Sequence, residues 1–275
     1  MPELPETETI ARDLDKSVSG RTIMSLTVTR PDVLREAGAA EMEMRLGGAQ
    51  IVTSWRRAKL IVIDLATADR IVVQPRFTGA LIVDDGMLDR SLLAYSTLRL
   101  DLDDGRSLHY CDVRRLGTFS LMNPSRFSEY SAMLGEEPLD QSFTSERLSV
   151  LVRGSNVPVK KVLMDQRRIA GIGNIYANEA LWRAGIDPSR AAGSMTNNEI
   201  GLLHREIVSV LRESIELRGT SFRDYVDSRG QRGGFAARLQ AYGRGGEPCL
   251  RCGAKLIDTH AVDGRTTVFC ARCQA

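Results

Sequence analysis

Long apolar runs are absent from this 275-residue sequence. Nowhere do about 18 consecutive apolar residues occur, the length that a membrane-spanning helix needs, so no span is expected. The first segment is acidic and amphipathic instead of basic and then apolar; no signal peptide is expected, and the cytoplasm is the expected compartment. A strong net charge is also lacking: 37 Lys and Arg against 35 Asp and Glu leave +2, which by itself argues for no particular partner. No internal repeat is visible. Cysteine is almost missing before residue 249, where Cys111 stands alone and reads as a small buried hydrophobe, not a reactive thiol. What these absences leave is a globular chain, 43% hydrophobic and 26% charged, long enough for two ordinary domains.

The other four cysteines crowd into the last 27 residues, as Cys249-Leu-Arg-Cys252 and Cys270-Ala-Arg-Cys273 with 17 residues between the pairs. Two CxxC knuckles at this spacing match a tetrahedral four-thiolate zinc site, which a reducing compartment would preserve. Disulfides or redox motifs are the weaker reading, since no βαβ pattern surrounds them. Charge is local here as well. Residues 218–275 carry ten Arg or Lys against five Asp or Glu, an excess of +5 that leaves −3 for the remainder, and a basic C-terminal segment suggests an anionic partner.

Along the chain, Pro5 followed by apolar Ile10, Leu14 and Val18 predicts a helix that stops near Gly20. From about 22 to 121 short β-rich runs separated by turn residues, among them KLIVIDL and RIVVQ, predict a sandwich or barrel, with a hairpin at Asp104-Gly105. After about 125 the period becomes helical, and the segment near 218–248 is rich in Gly and Arg without periodicity. Near the end, KLIDTHAVDGRTTVFC reads as two strands joined at Asp263-Gly264.

Helix-start chemistry explains Pro5, Glu6 and Glu8 but not Pro2. Removal of the initiator Met would make Pro2 a terminal secondary amine, with an α-amino pKa of about 7.7 to 8.0 that leaves a usable neutral fraction near pH 7. Such an amine could attack a sugar or carbonyl carbon and form an iminium, with Glu3 moving protons. Arg265, beside the hairpin turn, is either a solvated surface residue or a bidentate phosphate ligand. Asn174, after Gly171 and Gly173, is a helix cap, part of an anion site at a helix N-terminus, or both at once. Arg56, Arg57, Lys59, Arg114 and Arg115 lie at strand ends, where they are solvated charges singly and, taken with the zinc hairpin, favour a nucleic-acid groove.

PELPE at the N-terminus, RRAK at 56–59, DVRRLGT at 112–118, KKVLMDQ at 160–166, GIGNIYANE at 171–179 and the terminal four-cysteine hairpin with DGRTT resemble, in order and over the whole chain, the bacterial formamidopyrimidine-DNA glycosylases. The resemblance implies an α+β protein: a β-sandwich catalytic domain at 1–125, a helix–two-turn–helix domain at 126–240 and a zinc finger at 241–275, acting as a monomer on damaged double-stranded DNA lying in the cleft between. It implies excision of oxidised purines followed by β- and δ-elimination in base-excision repair. By the same resemblance Pro2 is the nucleophile, Glu3 the acid/base, Glu6 a supporting carboxylate, and Lys59 a phosphate-binding residue that assists proton transfer. Lys160, Asn174 and Arg265 would clamp the phosphates flanking the flipped nucleotide, and a loop at about 219–242 would cover the lesion. The sequence departs from the family's HLRMTG and DPRRFG at Gln74-Pro75-Arg76-Phe77-Thr78-Gly79 and Asp112-Val113-Arg114-Arg115-Leu116-Gly117. Phe77 and Leu116 then stand at the positions that fill the vacated stack, and Arg114 at the one that faces the orphaned base. Lesion and opposite-base preference stay open, with oxidised pyrimidines or abasic sites as alternatives. A proline tautomerase would have no use for the zinc hairpin, and a non-catalytic DNA binder would be expected to lack Pro2, Glu3 or Lys59.

Overall fold

The computed structural model describes residues 2–222 and 225–275. Met1, Arg223 and Asp224 lie outside the described residues, and with them the expected loss of Met1 and two positions of the 219–242 loop. The chain forms two compact units, residues 1–132 with 217–234, and residues 133–216 with 235–275.

In the first unit the elements are α1 (Leu4–Val18), β1 (Ile23–Val28), β2 (Leu34–Arg35), α2 (Ala39–Leu46), β3 (Ile51–Arg57), β4 (Leu60–Leu65), β5 (Arg70–Gln74), β6 (Gly79–Asp84), α3 (Arg90–Leu93), β7 (Ser96–Leu102), β8 (Ser107–Asp112), β9 (Thr118–Met122) and α4 (Pro124–Ala132). A four-stranded sheet of order β1-β7-β8-β6 faces a five-stranded sheet of order β2-β9-β5-β4-β3. One core joins them: Leu98, Leu100, Leu108 and Tyr110 from the first sheet meet Ile61, Ile63, Ile71, Val73 and Phe119 from the second. Of the sandwich or barrel expected from the short β-rich runs, the chain forms the sandwich. Ile10, Leu14 and Val18, each fully buried, close one side of it through α1, which ends before Gly20 at φ +81°. Helix α2 interrupts the stretch read as all strand; its Met42 and Leu46, four apart, are also fully buried.

Two links cross from one sheet to the other, 75–78 between β5 and β6 and 113–117 between β8 and β9. Gln74 pairs with Thr118 and Gly79 with Asp112, so both crossings leave and arrive on neighbouring rungs. The ladder therefore forces the two links side by side.

The second unit holds α5 (Ser145–Val152), α6 (Val159–Met164), α7 (Asn174–Ala184), α8 (Asn197–Glu216), and the hairpin of β10 (Ile257–Thr259) and β11 (Thr267–Phe269). Helix α7 packs along α8 and against α6 and β11. The hairpin pairs Ile257 with Phe269 and Thr259 with Thr267, so residues 260–266 form the connection. The two-residue turn expected at Asp263-Gly264 is corrected to this longer loop, with Gly264 at φ +77° inside it. Among the described residues no helix is long and apolar enough to cross a membrane.

Candidate active site and nucleic-acid interface

The first unit carries Pro2, Glu3, Glu6 and Lys59. Pro2 is buried and precedes α1, whose N-cap is Glu3. Glu3 donates its backbone N–H to Glu6 Oε2 at 2.8 Å, half of the reciprocal capping arrangement in which the third helical residue reaches back to the cap. Glu6 Oε1 accepts the N–H of Thr220 at 2.8 Å. The two carboxylates are 2% and 1% exposed, and the two backbone N–H donors stabilise the Glu6 charge.

Lys59 sits in the two-residue turn between β3 and β4, after Ala58 at φ +54°. That turn is tied to the helix: Arg56, whose side chain is 7% exposed, donates to Glu8 Oε2 at 2.8 Å and to the Ala58 carbonyl at 3.0 Å. Arg57 donates to Ser131 Oγ at 3.0 Å. Of the basic cluster at 56–59, Arg56 and Arg57 thus bond within the unit, and Lys59 stands at the hairpin tip.

The adjacent sheet-crossing links present Phe77, Arg114, Arg115 and Leu116. Phe77 is 44% and Leu116 52% exposed, which rules out core packing as the reason for either. The Arg114 guanidinium lies 5.8 Å from the Phe77 ring centroid, and Arg115 pairs with Asp32 at 3.1 Å. Asp112, 2% exposed, organises both links. Its Oδ1 accepts from Thr78 Oγ1 and, at 3.2 Å, from the Arg114 N–H; its Oδ2 accepts from the Gly117 N–H at 2.8 Å. Gly117 and Gly79 are required here, because a Cβ would lie 2.0 and 2.8 Å from the Tyr110 hydroxyl. Burial, and then the neighbouring Asp112 charge, push the Tyr110 pKa upward, so the phenol stays protonated. Sequence reasoning singled out neither Tyr110 nor Asp112 for this role; a lone Asp at a strand end carries no periodic signal.

In the second unit the four cysteine sulfurs lie within 4.8 Å of one another, with Cys252–Cys270 at 3.5 Å and Cys249–Cys273 at 4.0 Å. A tetrahedron with Zn–S near 2.3 Å has S···S edges of about 3.8 Å, whereas a disulfide needs about 2.05 Å; the residues fit zinc. Burial raises the Cys249 thiol, but the Arg251 and Cys252 N–H groups, together with the Cys270 and Cys252 thiols, outweigh it and bring the thiol down to about 6, favouring the thiolate a metal needs. The module shares its core with the helices: Trp182 of α7 packs with Ala241, Cys249, Leu256, Val268 and Cys270.

Side chains from α6 and α7 hold the loop that carries Arg265. Lys160 is fully buried, and its Nζ donates to Thr267 Oγ1 at 2.7 Å, the Thr266 carbonyl at 3.1 Å and Asp263 Oδ1 at 3.3 Å. An ammonium has three donors; these oxygens lie inside the protein, so Lys160 bonds the 263–267 loop where a phosphate contact was expected. Asn174 does not cap α7 with its side chain; Gly173 is the N-cap, and Asn174 Nδ2 donates to the Thr266 carbonyl at 3.0 Å. Asn178 Oδ1 accepts from the Val268 N–H at 2.8 Å. Arg265 itself is exposed, its N–H bonded to Asp263 Oδ1 at 3.1 Å. Glu179, wholly buried, accepts the N–H groups of Gln240, Ala241 and Tyr242 at 2.8–3.0 Å. Burial drives its pKa up and those donors pull against it. This carboxylate, which the motif alone did not mark, fixes the segment entering the zinc module.

Comparison with known proteins places this geometry. Residues 1–119 match the formamidopyrimidine-DNA glycosylase N-terminal domain, 134–226 the formamidopyrimidine-DNA glycosylase H2TH domain, and 246–275 the zinc finger found in FPG and IleRS. The formamidopyrimidine-DNA glycosylase of Carboxydothermus hydrogenoformans is 40% identical over 275 residues, covering 100% of both chains. This chain belongs to the formamidopyrimidine-DNA glycosylase family. The wild-type Lactococcus lactis Fpg, solved with N7-benzyl-Fapy-dG DNA, matches with a TM-score of 0.90 at 32% identity over 99% of each chain. The same protein in complex with abasic-site DNA matches with a TM-score of 0.90 at 33% identity over 99% of each. Within this family the α+β fold and the structural zinc site are accounted for by the sandwich and the four clustered cysteines of this chain.

Proposed function

We infer that the protein is a bifunctional DNA glycosylase and abasic-site lyase of base-excision repair, excising oxidised purines and formamidopyrimidines from double-stranded DNA as a monomer. The observation that carries the reading is the full-length likeness to a relative solved on Fapy-dG-type and abasic-site DNA, in a chain that has Pro2 and Glu3 ahead of α1. The proposed division of labour follows the three segments 1–125, 126–240 and 241–275: chemistry, lesion handling and strand grip. A cytoplasmic, nucleoid-associated location follows from such a substrate.

In the proposed chemistry the Pro2 nitrogen lone pair attacks C1′ of the flipped nucleotide. The glycosidic bond breaks, and its electron pair leaves with the base. Glu3 takes the N–H proton from the resulting ammonium and delivers it to the ring oxygen; the C1′–O4′ bond breaks, and the freed nitrogen lone pair completes an iminium at C1′ of the opened sugar. Loss of a C2′ proton then expels the 3′ phosphate, and a second elimination expels the 5′ phosphate. Lys59 meets phosphate and assists proton transfer, Arg265 and Asn174 bind flanking phosphates, Phe77 and Leu116 fill the vacated stack, and Arg114 faces the orphaned base, with Arg115 beside it on the backbone. Lys160 acts through the loop that aims Arg265. Zinc, when bound, supplies no chemistry to these steps and holds the hairpin base.

The test is borohydride trapping on duplexes with one defined lesion each: a formamidopyrimidine, 8-oxoguanine, an oxidised pyrimidine and an abasic site. A covalent adduct mapped to Pro2 on the purine lesions is expected. Trapping confined to the pyrimidine lesion would change the substrate class, and an adduct on a lysine would reject the nucleophile.

A further inference from the structure

The residues that return from the helical region to the first unit, 217–222 and 225–234, are fastened by a charged cluster with no part in the chemistry above. Arg218 donates through Nε to Asp227 Oδ2 at 2.9 Å and through Nη1 to Asp13 Oδ1 at 3.3 Å, and its Nη2 reaches both carboxylates. The Asp13 and Asp227 side chains are 6% and 0% exposed. Ser228 Oγ adds a bond to Asp13 at 3.2 Å, while Asp227 Oδ1 accepts the N–H groups of Arg229 and Gln231, each at 2.9 Å. One guanidinium thus joins helix α1, through Asp13, to the start and the middle of the returning segment. Arg218 has φ +63°, a left-handed conformation that a residue with a Cβ adopts rarely and only when its surroundings hold it there.

What this clasp sets is the path of the next two residues. Gly219, at φ +84°, passes so close to Glu6 that a Cβ would lie 3.0 Å from Oε1. Thr220 then delivers its N–H to that oxygen at 2.8 Å, and the other Glu6 oxygen holds the N–H of Glu3 at 2.8 Å. Tyr225 closes the turn, its hydroxyl donating to the Arg218 carbonyl at 3.2 Å. Glu6 is therefore a bridge with a returning-segment amide on one oxygen and the residue after Pro2 on the other.

We propose that Arg218, clasped by Asp13 and Asp227, is a positioning residue that fixes the lesion-covering segment in register with Glu3 through the Glu6–Thr220 hydrogen bond. The proposal rests on the glycosylase reading. It makes the clasp matter for removing a base, which needs the covering segment, and much less for elimination at an abasic site, which presents no base.

The experiment compares Arg218→Gln and Arg218→Lys with wild type in single-turnover excision from a formamidopyrimidine duplex and in strand cleavage at a preformed abasic site. Amide hydrogen exchange at Thr220 is followed in parallel. Arg218→Gln is expected to slow excision about tenfold, the effect of losing the one charge-assisted hydrogen bond from Thr220 to Glu6, to lower Thr220 protection by a similar factor, and to leave abasic cleavage within about threefold. Arg218→Lys, which keeps the charge, is expected to recover part of both losses. Excision at the wild-type rate, or equal loss of both activities, overturns the proposal, the second because a clasp that only maintains the fold would depress the two together. A wild-type protein that excises no base overturns the glycosylase reading instead.

Discussion

Replacing Lys160 with Met removes a buried charge while keeping most of the side-chain volume, and it separates two roles for this residue. The ammonium is 0% exposed and lies 3.3 Å from Asp263 Oδ1, whose side chain is 6% exposed. At an effective dielectric near 20, two unit charges at that distance attract by about 5 kcal/mol. Stripping one partner from a buried pair typically costs about 3–5 kcal/mol, because the other charge is left without compensation. Lys160→Met should therefore lower the stability of the second unit by about 3–5 kcal/mol in urea unfolding, and Asp263→Asn in the same background should recover part of it. The DNA arm is a double-mutant cycle with Arg265→Ala, read as affinity for an abasic-analogue duplex. Because Lys160 bonds the 263–267 loop from within, its effect on affinity should pass through Arg265, and the double variant should bind no more weakly than Arg265→Ala alone. Additive losses, with unchanged urea stability for Lys160→Met, would show Lys160 touching phosphate itself and would refute the argument.

Base–aromatic stacking is worth about 1 to 3 kcal/mol per base, so Phe77→Ala should slow single-turnover excision from an intact duplex more than Leu116→Ala, and both should matter less on an abasic duplex. Asp112→Asn, which disturbs both links at once, should approach the Phe77→Ala/Leu116→Ala double variant; equal losses for Phe77→Ala on both substrates would show that the ring does not fill a vacated stack. Zinc removal should disturb the core around Trp182, seen as a red-shifted emission in a Trp55→Phe background; unchanged emission would mean that the module packs without its metal. Burial pushes the Cys111 thiol up to about 12, so at pH 8 only roughly one thiol in ten thousand is ionised. Alkylation of the native zinc-loaded protein should spare all five cysteines, chelation should expose four, and rapid labelling of Cys111 before unfolding would contradict its burial.

Local patterns were enough for much of this protein. Spacing alone placed α1, because Ile10, Leu14 and Val18 fall on one helical face, and the CxxC pairs announced a metal because two thiolates two residues apart can bite one ion. The short strands were legible as β-rich runs between turn residues, and the hairpin from Asp104-Gly105, where Gly105 takes φ +83°. Helix α2 was hidden because AAEMEMRL has only two core-facing apolar residues in a stretch flanked by strands.

Everything that depends on partners distant in sequence was decided by the tertiary structure. Burial of Lys160 could not be read from KKVLMDQ, since its three oxygen partners lie more than 100 residues further on. The two sheet-crossing links are neighbours only because two antiparallel ladders end on adjacent rungs, and Asp112 acquires its role from that adjacency. Arg218 gave no signal as one Arg in a Gly- and Arg-rich segment. Two buried carboxylates, one of them 205 residues away in α1, make it a clasp. Periodicity and motif spacing report what a residue does to its neighbours along the chain, so the sequence by itself determined most of the elements and the metal ligands. The pairing of buried charges reports which distant segments the fold brings within about 3 Å, and only packing could decide that.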